Sequence, residues 1–188
     1  MGIKERFYVD IMALHPGVTG SCNLVIVNYP DGEKTRFIVD CGIFQEEDYS
    51  QYNRGFSFCA ENVEFCVITH NHVDHTGRLP LLVKEGFRGP IYTSSSTRVL
   101  LPLALEDAYK VLKDVAKRNN TKQLYSDMDV FKTLPLIEPI EFLKEKDVDE
   151  HIRITMFNNG HLVGAAIVLV QIRYKGYEDI NLLFTGDY

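Results

Sequence analysis

The chain has 188 residues, 45% of them hydrophobic and 24% charged, with a formal net charge of −6 and a pI near 5.5. That is the composition of one globular domain or a piece of a longer protein, and the absence of low-complexity tracts and internal repeats excludes a disordered or solenoid chain. The acidic balance also excludes nucleic-acid binding through the overall field of the chain, so a polyanionic substrate would need metal ions, a local basic patch or residues outside this segment.

In chain order, the opening MGIKERFYVD lacks the apolar core of an export signal, and Arg6 stands where an acylation pattern needs Ser or Thr. Strand-like runs follow at 7–14, 22–29 and 35–40. The turn Pro30-Asp31-Gly32 predicts that the second and third pair as an antiparallel hairpin. Further strands are expected at 63–69 and 90–93. A helix is expected over 76–86, with Leu79, Leu82 and Val83 on one side and a stop at Gly86. A longer helix opens at the N-capping run 94–97 and tolerates Pro102 only near its first turn. Its apolar residues Leu100, Leu103, Ala104, Ala108, Val111 and Val115 follow helical spacing, and the pairs Glu106/Lys110 and Asp114/Arg118 read as a solvated flank.

A short helix at 126–134 comes next, and then strands at 151–158, 164–175 and 180–185, the last two joined by a tight turn at 176–179. The stretches 119–121 and 144–150 read as polar connections. The order of elements predicts a mixed α/β domain with a largely antiparallel component. No apolar run exceeds strand size, the longest being 163–170, against roughly 18–20 residues for a membrane helix. Cys22, Cys41, Cys59 and Cys66 form no C-x-x-C pair and read as reduced thiols. The expected compartment is the cytoplasm, or the nucleus if the source is eukaryotic.

The chemistry concentrates in "THNHVDHTG" (69–77), which holds three of the chain's six histidines. His70 and His72, two apart in an extended loop, point the same way and can reach one cation. Asp74 and His75 follow as the chain turns toward the helix, aimed at a neighbouring position. Asp40, His70, His161 and Asp187 each follow an apolar run. If those strands share a direction, their loops open at a common rim, where sites of α/β folds sit. Imidazole suits zinc, and a carboxylate suits a second ion. One zinc takes His70, His72 and His161 in this reading; a second takes Asp74 and His75, and Asp187 bridges the two. Asp40 accepts a hydrogen bond from a ligand or from bound water. Gly160 and Gly164 bracket His161 and would allow close backbone approach. His15 and His151 read as ordinary polar residues.

The pattern "HNHVDH", with "VDCG" at 39–42, "GH" at 160–161 and "TGDY" at 185–188, resembles the signature of the metallo-β-lactamase superfamily. Within it, "HTGRLPLLVKEGFRGPIYTSSST", "LEDAYK", "NGHLVGAA" and "LLFTGDY" are similar to the β-CASP group of nucleic-acid nucleases. The resemblance implies an αββα sandwich, two zinc ions held by His70, His72, Asp74, His75, His161 and Asp187, and Asp40 in the first motif. It also implies a cap domain and later histidines, including a last zinc ligand and one assisting the leaving group, beyond Tyr188. The expectation is therefore the N-terminal part of a zinc-dependent ribonuclease with RNA as substrate, a poor catalyst alone. Asp74 and Asp187 would position a metal-activated hydroxide for in-line attack on phosphorus. Two alternatives stay open: a hydrolase of small thioesters, lactones or phosphodiesters on the same fold, and a non-catalytic scaffold of an RNA-processing complex. Assembly into an oligomer is compatible with the sequence.

Overall fold

The structure, a computed structural model, describes residues 6–15 and 19–188. The first residues of the stretch read for export and acylation signals, 1–5, lie outside the described residues.

Three strands begin the chain: β1 (Tyr8–Ala13), β2 (Asn23–Asn28) and β3 (Lys34–Val39), paired antiparallel in sequence order. The β2–β3 hairpin closes as the sequence predicts: Gly32 sits at φ +89°, and the Asp31 side chain accepts from Glu33 N at 3.0 Å. β4 (Phe65–Val67), β5 (Ile91–Ser94) and β6 (Ile137–Ile140) then add in parallel, giving a six-stranded sheet in the order β1-β2-β3-β4-β5-β6. A second, antiparallel sheet has the order β10-β9-β8-β7. Its strands are β7 (Glu145–Asp147), β8 (Ile152–Asn158), β9 (Ala166–Ile172) and β10 (Ile180–Phe184).

Strict alternation divides the core. In β2, β3 and β4, Val25, Val27, Phe37, Val39, Phe65 and Val67 face the second sheet, where they meet Ile152, Ile154, Met156, Val168, Val170 and Ile172. The alternate positions Leu24, Ile38 and Cys66 face the helices and pack with Leu79, Leu82, Leu101 and Leu105. The layers are therefore helix, sheet, sheet. On the outward side of the second sheet, Ile167 and Leu169 are half-buried and Leu183 is exposed.

Several local expectations are corrected. The helix read at 76–86 is two pieces, α1 (Val73–Thr76) and α2 (Leu79–Lys84). Pro80 cannot donate to an earlier carbonyl, so it starts a new helix instead of continuing one. Gly86 ends α2 as expected, at φ +112°. α3 (Ser95–Arg118) is capped by Ser94, whose side chain accepts from Thr97 N, but Pro102 lies inside the helix, beyond its first turn. Its buried face is Thr97, Leu101, Leu105, Ala108 and Ala116; of the expected stripe, Leu103, Val111 and Val115 are exposed. α4 (Asp127–Thr133) begins at a capping box between Ser126 and Asp129.

β6 and β7 were not expected. β6 carries Pro139 and takes the sheet edge, where a missing N–H is tolerated; β7, all charged, lies within the connection read at 144–150 and is also an edge. All four cysteines are free, three of them buried. No helix among the described residues is long and apolar enough to cross a membrane.

Phe65, 1% exposed, stacks on Phe37 with ring centroids 4.6 Å apart in the layer between the sheets. Phe65→Ala should cost about 3–5 kcal/mol in urea denaturation. Leu183→Ala, at a position 61% exposed, should stay within about 0.5 kcal/mol of wild type.

Candidate metal centre

β3 and β4 run parallel, and β8 and β10 each run antiparallel to β9, so within each sheet the two strands end on the same side. The two rims are joined by hydrogen bonds. Ala166 N donates to Thr69 O at 2.9 Å. Ser94 Oγ and Thr97 Oγ1 donate to Gly164 O at 2.6 and 3.0 Å. Gly164 is at φ +89°, and a Cβ there would come within 2.7 Å of Thr97 Oγ1. Gly160, the other glycine beside His161, has open space around it, so close approach belongs to Gly164 alone.

Asp40 follows β3 in left-handed backbone, φ +60°, and is 2% exposed. Its carboxylate accepts from Thr69 N at 2.8 Å, Thr69 Oγ1 at 2.9–3.0 Å and His75 Nδ1 at 2.8 Å. The carbonyls of α1 are held just as closely: Ser21 N, Cys41 N and Ile43 N donate to Asp74 O, His75 O and Val73 O at 2.7, 2.7 and 3.1 Å. Gly42 permits this, since a Cβ there would sit 1.5 Å from Asp74 O. The "VDCG" motif is thus a bed for the histidine-bearing turn.

On that bed the side chains converge. His70 Nε2 lies 3.1 Å from His72 Nδ1, and His161 Nε2 lies 3.3 Å from the same atom. Asp187 places Oδ2 3.8 Å from His70 Nε2 and 3.9 Å from His161 Nε2, and Oδ1 3.1 Å from His75 Nε2. Ligand atoms of His70, His72, His161 and Asp187 all lie within 4.8 Å of one another, and so do those of Asp74, His75 and Asp187. Every residue singled out from the sequence for metal binding is in one of these two groups, and Asp187 is in both. His70 and His75 are buried, His72 and His161 exposed, so the cluster has a protein side and a solvent side.

Three imidazole nitrogens this close, two of them converging on the single His72 Nδ1, suit a shared cation. Tetrahedral zinc with Zn–N bonds of about 2.0–2.1 Å sets its nitrogens about 3.3 Å apart. The electrostatics agree: burial pushes the His70 imidazole down to about 4, keeping it neutral and able to ligate. Burial also works to lower His75, but the hydrogen bond and charge of Asp40 outweigh it and hold His75 above its ordinary value. An open cavity of about 430 Å³ adjoins the cluster, bordered by His15, Ser21, Asp40, Thr69, His75 and Asp187. His15 stacks on Phe44, ring centroids 4.4 Å apart, while His151 packs against Tyr29 at 4.8 Å, outside both groups.

Sequence reasoning missed Thr69 and Asn159. Thr69 supports Asp40 and also faces His70 Nδ1 at 3.1 Å; its signal was adjacency to the histidine run at a strand end. Asn159 bonds to backbone on two loops, which no local pattern announces.

This chain belongs to the metallo-β-lactamase superfamily: residues 31–182 match the family described as "Metallo-beta-lactamase superfamily domain". Its homologues include β-CASP nucleases. It is 32% identical to Ribonuclease TTHA0252 of Thermus thermophilus, over 90% of this chain and 35% of that one. It is 32% identical to Cleavage and polyadenylation specificity factor subunit 3-II of Arabidopsis thaliana, over 96% of this chain and 29% of that one. With Transcription termination factor FttA of Methanocaldococcus jannaschii the figures are 30%, 98% and 28%. The chain thus spans about a third or less of the length of these relatives. Among solved structures, the Rm3 metallo-beta-lactamase shares the fold, with TM-score 0.52 and 18% identity over 90% of this chain and 56% of that one. The superfamily is metal-dependent, and the His/Asp cluster is able to bind metal.

Thr69→Val removes the hydroxyl donor from a buried carboxylate and should cost about 1–3 kcal/mol in denaturation of the metal-free protein. Thr69→Ser, which keeps the hydroxyl, should lose less than half of that.

Proposed function

We propose that this chain is the N-terminal metallo-β-lactamase part of a zinc-dependent RNA phosphodiesterase, completed by a cap domain and later histidines elsewhere in the parent protein. The observation that carries the reading is the meeting of His70, His72, His161 and Asp187, from two sheets, beside Asp74 and His75, in a chain whose relatives include a ribonuclease and, in Aspergillus fumigatus, Endoribonuclease ysh1.

In this reading His70, His72 and His161 hold one zinc, Asp74 and His75 hold a second, and Asp187 serves both. The ions, when bound, would lower the pKa of a water for attack on phosphorus and offset charge on the phosphoryl oxygens. The protein's own residues do the positioning. Asp40 fixes the ring of His75 through Nδ1, leaving Nε2 for the cluster. Buried His70 stays neutral, and Asp187 and Asp74 present carboxylates toward the reacting centre. The exposed side, at His72 and His161, is the side from which a strand of RNA would approach. A net charge of −6 is compatible with a polyanionic substrate because the paired cations and the rest of the parent protein would supply the positive field.

The full-length parent should bind two zinc ions by elemental analysis, and each site saturated at about 100 times its Kd should raise stability by about 2.7 kcal/mol over the chelator-treated form. The full-length parent should cleave labelled RNA, with His70→Ala lowering kcat/KM by about 100-fold or more. Turnover only of thioesters or lactones would replace RNA with a small-molecule substrate. A parent that binds no metal near neutral pH would be a scaffold.

A further inference from the structure

The two ligands that come from the second sheet stand on exposed ground. His161 follows Gly160, which is at φ +79° with nothing near it, and Asp187 follows Gly186 at φ +60°. Their side chains are 27% and 44% exposed. Glycine on the chain side of each ligand gives the backbone wide freedom, so something else must set the distance between them.

That something is the Asn159 side chain. Its Oδ1 accepts from His161 N at 3.0 Å, while Nδ2 donates to Thr185 O at 3.0 Å and to Asp187 O at 2.8 Å. The amide orientation is determined by these partners. A flipped amide would set its oxygen against two carbonyls and its NH2 against an N–H, losing all three bonds. Asn159 N also closes the base of the His161 loop by donating to Ala165 O at 3.3 Å. One side chain therefore ties the loop after β8 to the loop after β10, using only backbone groups, and it is absent from both clusters of ligand atoms.

We infer that Asn159 is a positioning residue that locks the His161 loop to the Asp187 loop and so fixes the spacing of the two cation positions. This rests on the metal-site reading above. Asn159→Ala removes all three bonds. Asn159→Asp keeps the acceptor for His161 N but turns carboxylate oxygens toward the carbonyls of Thr185 and Asp187, so it should perturb the site more than alanine does. Asn158 provides the control: its Oδ1 accepts from Gly160 N at 2.8 Å in the same loop and has no bond to the β10 side.

The test is a zinc titration against a chromophoric chelator, with the visible spectrum of the cobalt-loaded chain and the melting temperature of the metal-free chain measured in parallel. Asn159→Ala should bind zinc about 10–100-fold more weakly, Asn159→Asp more weakly still, and both should alter the cobalt bands. Their metal-free melting should stay within about 4 °C of wild type, and Asn158→Ala should keep wild-type affinity. Wild-type affinity and spectra in both Asn159 variants would overturn the inference. A loss of affinity shared equally by Asn158→Ala would overturn it too, by reducing Asn159 to general loop stability. Failure of the wild-type chain itself to take up zinc or cobalt would instead remove the metal-site reading, and this inference with it.

Discussion

The carboxylate of Asp40 is buried almost completely, and a buried anion must find partners or abandon its charge. It finds them in the Thr69 amide and hydroxyl and in His75. Those groups come from the end of β4 and from α1, so a single anion gathers the first sheet's rim and the histidine turn about itself. Its left-handed backbone costs roughly 1–2 kcal/mol, which the three hydrogen bonds offset. The parallel pairing of β3 with β4 is what brings Asp40 beside Thr69, through Asp40 N donating to Val67 O at 2.9 Å. Were that register to slip by one residue, the carboxylate would meet the wrong side of the strand.

From this anchor the site extends across a gap between sheets. His70, His72, Asp74 and His75 belong to the first sheet's rim, and His161 and Asp187 to the second's. The distance between the two sets depends on the packed layer of Val, Ile and Phe side chains between the sheets, and locally on the bonds at Gly164, Ala166 and Asn159. Interiors pack at crystal density and deform little, so a cluster assembled from two sheets keeps its spacing.

The electrostatic pattern follows from the same layering. The buried histidines differ because only His75 meets Asp40 at hydrogen-bonding distance, while burial, helped by the neighbouring His75, outweighs the carboxylates at His70. One imidazole is kept neutral, the other is held by a carboxylate, and the exposed pair faces solvent. Such a graded cluster has buried His70 and His75 on its protein side and His72 and His161 on its solvent side.

How much of this was legible in the chain order alone depends on the range of the interaction responsible. Apolar runs of strand length are a local property, and they announced β2, β3, β4, β8 and β9. The Pro-Asp-Gly turn and the stop at Gly86 are equally local. The density of histidine and aspartate in residues 70–75 pointed to a cluster able to bind metal, and those side chains do converge. Tertiary structure decided the rest. β6 and β7 are strands only because a neighbour offers an edge to proline and to charge. α3 carries two interleaved apolar stripes, and its packing on the first sheet decided that Leu101 and Leu105 are buried. The pairing of Asp40 with Thr69 and His75, and the bridge of Asn159 between two loops, join residues 26 to 35 positions apart. Sequence determined the apolar strands, the helices and which residues offer ligand atoms; the packing of strand on strand and sheet on sheet decided the edge strands and which side chains meet, since such contacts depend on where whole strands lie.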